Sequence, residues 1–169
     1  MLKSLFYSGP SLQTLHTAYA KQGRIDTASA IQSQAEILIH APVARIWHIL
    51  ADAPNWPAWM PGVKTVRLDS AVAPDATFIW NSGPSTIKST FAVVEPEKEL
   101  TWTGISSGAK AVDRHTLEVT NGGTRVFTEE SMAGPFVILF FNSQKLCAGQ
   151  QAFLAALKQL AEKNIPTKL

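Results

Sequence analysis

Residues 39–59 read IHAPVARIWHILADAPNWPAW, and this stretch decides the fold. Ile39 ends a strand-like alternation in which Ala35, Ile37 and Ile39 share a face of a strand over about 31–39. Ala41-Pro42 breaks it, and Pro42 suits the first turn of a helix, where its missing N–H costs nothing. Val43, Ile46, Trp47 and Leu50 then recur on one helical stripe reaching about Ala51. From Asp52 to Pro61, three prolines and two tryptophans predict a loop with one helical turn around Trp56 to Met60. Proline removes backbone donors there and disfavours helix in the residue before it.

Working outward, strand signals follow at roughly 63–69, 76–81, 86–95, 99–105, 109–120 and 124–132. Asn81-Ser82-Gly83-Pro84, the turn from Glu95 to Lys98, and Asn121-Gly122-Gly123 separate them, the last being a hairpin signal because its residues tolerate positive φ. Successive hairpins imply an antiparallel meander. Pro135 opens a predicted helix to about Lys163, with Leu139, Leu146, Phe153, Leu157 and Leu160 on one face. The expected class is α+β: about six to seven antiparallel strands around a long C-terminal helix, with two short helices after the first strand.

Residues 1–30 form an extension, 31–164 the domain and 165–169 a tail. In the extension, Leu12, Leu15, His16 and Tyr19 fall at helical spacing after Gly9-Pro10, and Gly23 suits a C-cap. That short amphipathic helix has a stripe to bury, against this domain or a second copy. No secretory h-region or small-residue cleavage site stands out.

A chain of 169 residues, 46% hydrophobic and 17% charged, fits one domain with a sizeable core. Net charge is +2 without a basic stripe, so nucleic acid is not an expected partner. The longest apolar run, Phe136 to Phe141, is far below the roughly 18 residues of a membrane span, so no integral membrane segment is expected. The single cysteine, Cys147, cannot close an internal disulfide and suits a reducing compartment, hence a cytoplasmic location.

Four histidines (His16, His40, His48, His115) lack metal-ligand spacing with Cys, Asp or Glu. Phosphate-loop, dinucleotide and nucleophile-elbow motifs are missing as well. No metal and no cofactor are therefore expected.

The order Ala41-Pro42, Ile46-Trp47, Leu50-x-Asp52, Trp56-Pro57-x-Trp59, Glu95-Pro96, Leu100-x-Trp102-x-Gly104, His115, Gly123-Thr124-Arg125-Val126, Glu130 and Gly134 resembles the START-like superfamily, also called SRPBCC. The likeness covers about Ile31 to Asn164 and is nearest to polyketide cyclase/dehydratase-like members. It implies a helix-grip fold, with a cavity between sheet, C-terminal helix and the Trp56/Trp59 loop. The superfamily includes lipid carriers, receptors and aromatic cyclases, so fold does not give reaction.

Strand parity suggests what faces that cavity. With Lys110, Arg114 and Glu118 toward water, Ala111, Asp113, His115, Leu117 and Val119 point inward. The same logic turns Ile87, Ser89, Phe91 and Val93 inward, along with Trp102, and places Val126, Glu130 and Met132 on one inward face. Phe78 and Trp80 join them. Trp56, Trp59 and Met60 stand at the loop, either as a lid or as its anchor; Phe136 and Phe140, with Phe141, are a pocket mouth, a homodimer contact or ordinary buried helix positions.

An apolar, tryptophan-rich chamber with a few polar groups is how small-molecule sites are built. The favoured expectation is binding or carriage of a hydrophobic, ring-containing molecule. The alternative is a cyclase- or dehydratase-like enzyme, with His115 and Glu130 or Asp113 transferring protons. A third reading leaves His115 and Glu130 as mutually satisfied structural groups.

Overall fold

The computed structural model describes residues 6–163. The predicted tail at 165–169, the domain boundary at 164 and the first five residues of the extension lie outside the described residues.

Seven strands form one antiparallel sheet: β1 (Ile31–Ile39), β2 (Val63–Leu68), β3 (Thr77–Ser82), β4 (Ser85–Glu95), β5 (Glu99–Ser106), β6 (Ala109–Thr120) and β7 (Gly123–Ala133). Their order is β1-β7-β6-β5-β4-β3-β2. This is the expected meander, closed by pairing the first strand with the last. The β6–β7 turn needs Gly123: its φ is 138°, and a Cβ there would collide with the Ile39 carbonyl.

The extension contributes α1 (Leu12–Thr14), continued by a π turn at Leu15–Tyr19 and a 3-10 turn at Ala20–Gln22. Gly23 ends it in the left-handed conformation at φ 65°, as a C-cap should. Helix α2 (Val43–Ala51) and a 3-10 turn (Ala53–Ala58) follow β1, and α3 (Ser143–Glu162) closes the fold.

Sheet, α2 and α3 enclose the main core. Ile46, Trp47 and Leu50 from α2 meet Phe153, Leu154 and Leu157 from α3 and Phe78, Phe91, Leu100, Trp102 and Val126 from the sheet. This is the helix-grip arrangement. Among the described residues, no helix is long and apolar enough to cross a membrane.

The C-terminal helix begins later than the sequence pattern predicts. Phe136 adopts φ 63°, only a 3-10 turn at Val137–Leu139 follows, and the Asn142 side chain caps α3 by accepting from the Lys145 amide at 2.9 Å. Leu139, Phe136 and Phe140 therefore leave the helical stripe and stand 62%, 47% and 76% exposed. Ordinary helix burial does not hold for them.

Two parity assignments also change. A β-bulge between Phe91 and Val93 pairs Val93 with Thr101 and Val94 with Leu100, so Val94, not Val93, reaches the inner core. Val119 keeps inner-face parity but lies at the far end of β6, 69% exposed.

The outer face is not simply solvated. Leu15, Ala20 and Ile25 of the extension bury Ala92 and Val112 there, with Tyr19 at the margin. His16 reaches Thr103 Oγ1 with Nδ1 at 3.0 Å and Asp75 Oδ1 with Nε2 at 2.8 Å. Lys21 joins Asp75 at 2.8 Å. Arg114, expected to meet water, sits half-buried at the edge of this layer and holds Glu99 and Glu129 at 2.9 and 2.8 Å. The stripe in the extension thus packs on its own domain.

Candidate functional site

The inner face divides into a dry half and a wet half. In the dry half, Trp56 is fully buried, its Nε1–H donating to the Leu50 carbonyl at 2.9 Å. Its ring lies 5.7 Å from Phe78, 6.0 Å from Trp80 and 5.2 Å from Trp102, and Phe78 stacks on Phe91 at 4.4 Å. Aromatic rings fill the space where the resemblance implies a cavity, at the Trp56 end. Met60 is buried beside them, while Trp59 stays half-buried with its ring 5.7 Å from Phe153. Trp56 is an anchor of the loop; Trp59 is the tryptophan at its surface.

In the wet half, inner-facing side chains keep partial exposure: Trp80 and Ile87 on β3 and β4, Ala111 and Asp113 on β6, Glu130 and Met132 on β7. The floor is made of small residues. Gly104 lies between Ser89 and Ala111 in the register, and a Cβ on it would come within 2.9 Å of Ser89 Oγ. Ser89 Oγ accepts from Trp80 Nε1 at 3.0 Å, fixing that indole along one wall. This end of the inner face is therefore partly open to solvent. Two surface depressions, of about 450 and 430 Å³, lie elsewhere, around His40 and Val119 and beside the extension at His16 and Asp75.

At the seam of the two halves is the polar cluster. His115 is buried between Trp102, 4.8 Å away, and Phe153, 4.9 Å away. Its Nε2 lies 3.0 Å from Asp113 Oδ1, off the line a good hydrogen bond needs, and Nδ1 has no partner. The register sets Thr128 directly across from His115 and Glu130 across from Asp113. Thr128 Oγ1 and Gln150 Oε1 are likewise buried without partners, while Gln150 Nε2 donates to the Ser33 carbonyl at 3.4 Å. Burial, and then the neighbouring charge of Asp113, push the Glu130 carboxyl well above the ordinary value.

Three buried polar side chains with unsatisfied atoms in one core are unusual, because each costs about 1–3 kcal/mol if left without a partner. Strand parity brought His115, Asp113, Glu130, Met132, Ser89, Phe91, Trp80 and Trp102 to this face, as expected. Leu117 lies on it as well, in the dry half against the core, as does Phe78. Phe136 and Phe140 stand apart, on the exposed segment before α3. Sequence reasoning missed Thr128 and Gln150. The signal for Thr128 was its parity with Val126 and Glu130; for Gln150, it was a polar residue on the stripe of Leu146, Phe153 and Leu157.

Residues 30–162 match the profile of the family described as polyketide cyclase / dehydrase and lipid transport. The chain belongs to that family. Among solved structures, a hypothetical protein of Helicobacter pylori is similar at TM-score 0.72 and 14% identity, over 80% of this chain and 90% of that one. A protein of Mesorhizobium loti gives TM-score 0.65 at 19% identity, covering 80% and 99%. The di-domain ARO/CYC StfQ from the steffimycin biosynthetic pathway gives 0.66 at 16% identity, over 79% of this chain and 51% of its own length. At such identities these likenesses establish the fold alone. No curated protein matches the chain.

Proposed function

We propose that this member of the polyketide cyclase / dehydrase and lipid transport family binds a hydrophobic, ring-containing small molecule in the wet half of the inner face. The observation that carries this reading is that half-buried apolar Trp80, Ile87 and Met132, the walls of the proposed groove, share the inner face with buried, unsatisfied His115 and Thr128, with Gln150 of α3 also unsatisfied. Ligand carbon laid on that wall gains about 25 cal/mol per Å² before the costs of binding are subtracted. The polar cluster supplies orientation. Native mass spectrometry of the protein from its own host, followed by denaturing extraction, tests this: a stoichiometric hydrophobic compound supports it. Failure of any ring compound to bind at micromolar concentration contradicts it.

A second reading is favoured by the Asp113–His115 pair. A proton on Nε2, the nitrogen 3.0 Å from Asp113 Oδ1, would leave Nδ1 an unpartnered acceptor, and Glu130 keeps its proton to higher pH than an ordinary carboxyl. Base and acid on one face are what enolisation of a ring-forming carbonyl chain requires. In that case His115→Ala lowers turnover of such a substrate by roughly 100-fold with little change in binding. Unchanged turnover removes the mechanism.

The lone Cys147 is compatible with a reducing compartment, and a cytoplasmic location is part of this proposal. Fractionation of the source cells tests it, and recovery in an oxidising compartment contradicts it.

A further inference from the structure

We infer that the groove selects a neutral ring hydroxyl and turns away carboxylates, so that its ligands are hydroxylated aromatic molecules and not fatty or aromatic acids. This rests on the binding reading above and specifies its ligand class.

Charge supplies the first argument. Among the described residues, the ionisable groups of β6 and β7 on the inner face at this end are Asp113, His115 and Glu130. The cations of the same strands, Lys88, Lys110, Arg114 and Arg125, pair in the register with outer-face positions. Lys110 is engaged with the Pro10 carbonyl, and Arg114 with Glu99 and Glu129. Lys145, near the start of α3, donates to the Phe140 carbonyl. An incoming carboxylate would meet the Asp113 charge in a partly desolvated site with, among the described residues, no cation of these strands turned toward it, and like charges repel there far more strongly than in water.

Hydrogen-bond supply and demand give the second. The Ser33 carbonyl can only accept, so it must face the Gln150 nitrogen, which leaves Gln150 Oε1 as an acceptor without a donor. With Nε2–H toward Asp113, His115 Nδ1 is a second such acceptor. Thr128 offers a hydroxyl that both donates and accepts, and a protonated Glu130 offers a donor. Two unfilled acceptors call for a donating ligand. A phenolic O–H donates to one of them and accepts from Thr128 or Glu130; a carboxylate brings only lone pairs, and a hydrocarbon nothing. The Trp80 and Ile87 wall suits the flat ring that carries the hydroxyl.

Equilibrium dialysis with naphthalene, naphthol and naphthoate at neutral pH separates this claim from the one beneath it. Naphthol is expected to bind at least about tenfold more tightly than naphthalene, and naphthoate more weakly than either. Naphthoate binding as well as naphthalene or better overturns the selectivity while leaving the groove standing. If neither naphthalene nor naphthol binds, the groove reading fails and the selectivity with it. Thr128→Val is expected to bring naphthol affinity down toward that of naphthalene measured on the same variant. The double variant Asp113→Asn, Glu130→Gln is expected to raise naphthoate affinity; if it does not fold, Thr128→Val alone decides, since unchanged naphthol binding contradicts the assignment.

Discussion

Nε2 of His115 stands 3.0 Å from Oδ1 of Asp113, two residues earlier on the same strand, and the pair shares one face of the sheet. The imidazole thus has a carboxylate beside one nitrogen and a well-formed hydrogen bond at neither. A group kept for folding alone would cost stability when replaced by an apolar one, whereas His115 is buried without partners. His115→Leu, similar in volume, is predicted to keep the fold and to gain about 1 kcal/mol, because it removes buried polar atoms that lack partners. Ring-hydroxyl binding should fall in the same variant. Thermal melts read the first effect and dialysis the second; a loss of several kcal/mol would make His115 a structural residue.

Glu130 predicts a specific pH dependence. Its ordinary value is 4.5, and the folded value lies well above that through burial and the Asp113 charge. As pH rises past 4.5, the unfolded chain releases this proton while the folded chain holds it. The folded state then binds more protons, so stability falls with rising pH until the folded group itself ionises. Glu130→Gln should flatten the curve in that interval and be the more stable protein above it. Denaturant titrations across pH check this, and parallel curves for the two proteins would contradict it.

Gly104 keeps the floor of the groove low. A Cβ there presses on Ser89 Oγ, which holds the Trp80 indole. Gly104→Ala is predicted to turn the Ser89 hydroxyl away, free Trp80 and weaken ring binding by about tenfold, with a small effect on stability. Trp56→Ala, by contrast, removes a fully buried ring and should cost about 3–5 kcal/mol. The two variants separate the wet half from the dry half, with tryptophan fluorescence and melts as readouts.

The extension is fastened to the outer face by His16, which joins Thr103 and Asp75 across 87 and 59 residues of sequence. Hydrogen bonds from Lys21 and His16 hold the Asp75 carboxyl below its ordinary 3.8. Its contribution is therefore present above that value and lost as pH falls through the folded value. His16→Ala should loosen the layer, and tryptic cleavage after the exposed Lys21 and Arg24 should accelerate. Equal cleavage rates would show that Leu15, Ala20 and Ile25 suffice to hold it.

Much of this fold is legible because alternation and punctuation act locally. The strand at Ile31–Ile39 and the Asn121-Gly122-Gly123 hairpin follow from period and φ tolerance alone. Parity then carries His115, Asp113 and Glu130 to one face. What parity cannot see is the bulge that flips Val93 and Val94, since nothing in Phe91-Ala92-Val93 distinguishes it from an unbroken strand. The left-handed Phe136 is equally silent, because the apolar run from Phe136 to Phe141 has the composition of a helix and not its backbone. The partners of His16 are set by tertiary packing between distant segments. Gln150 is visible only as an interruption in an apolar stripe, a pattern that acquires meaning once the Ser33 carbonyl stands beside it.

The most direct test of the account is carbon–proton NMR of the methyl groups of Ala111, Met132 and Ile87, recorded while naphthol is added. Saturable shifts are expected at these three inner-face methyls, accompanied by His115 ring signals, with little change at Ala92 and Val112 on the outer face. Shifts confined to the outer face, or to the Phe136–Phe140 segment, would contradict it.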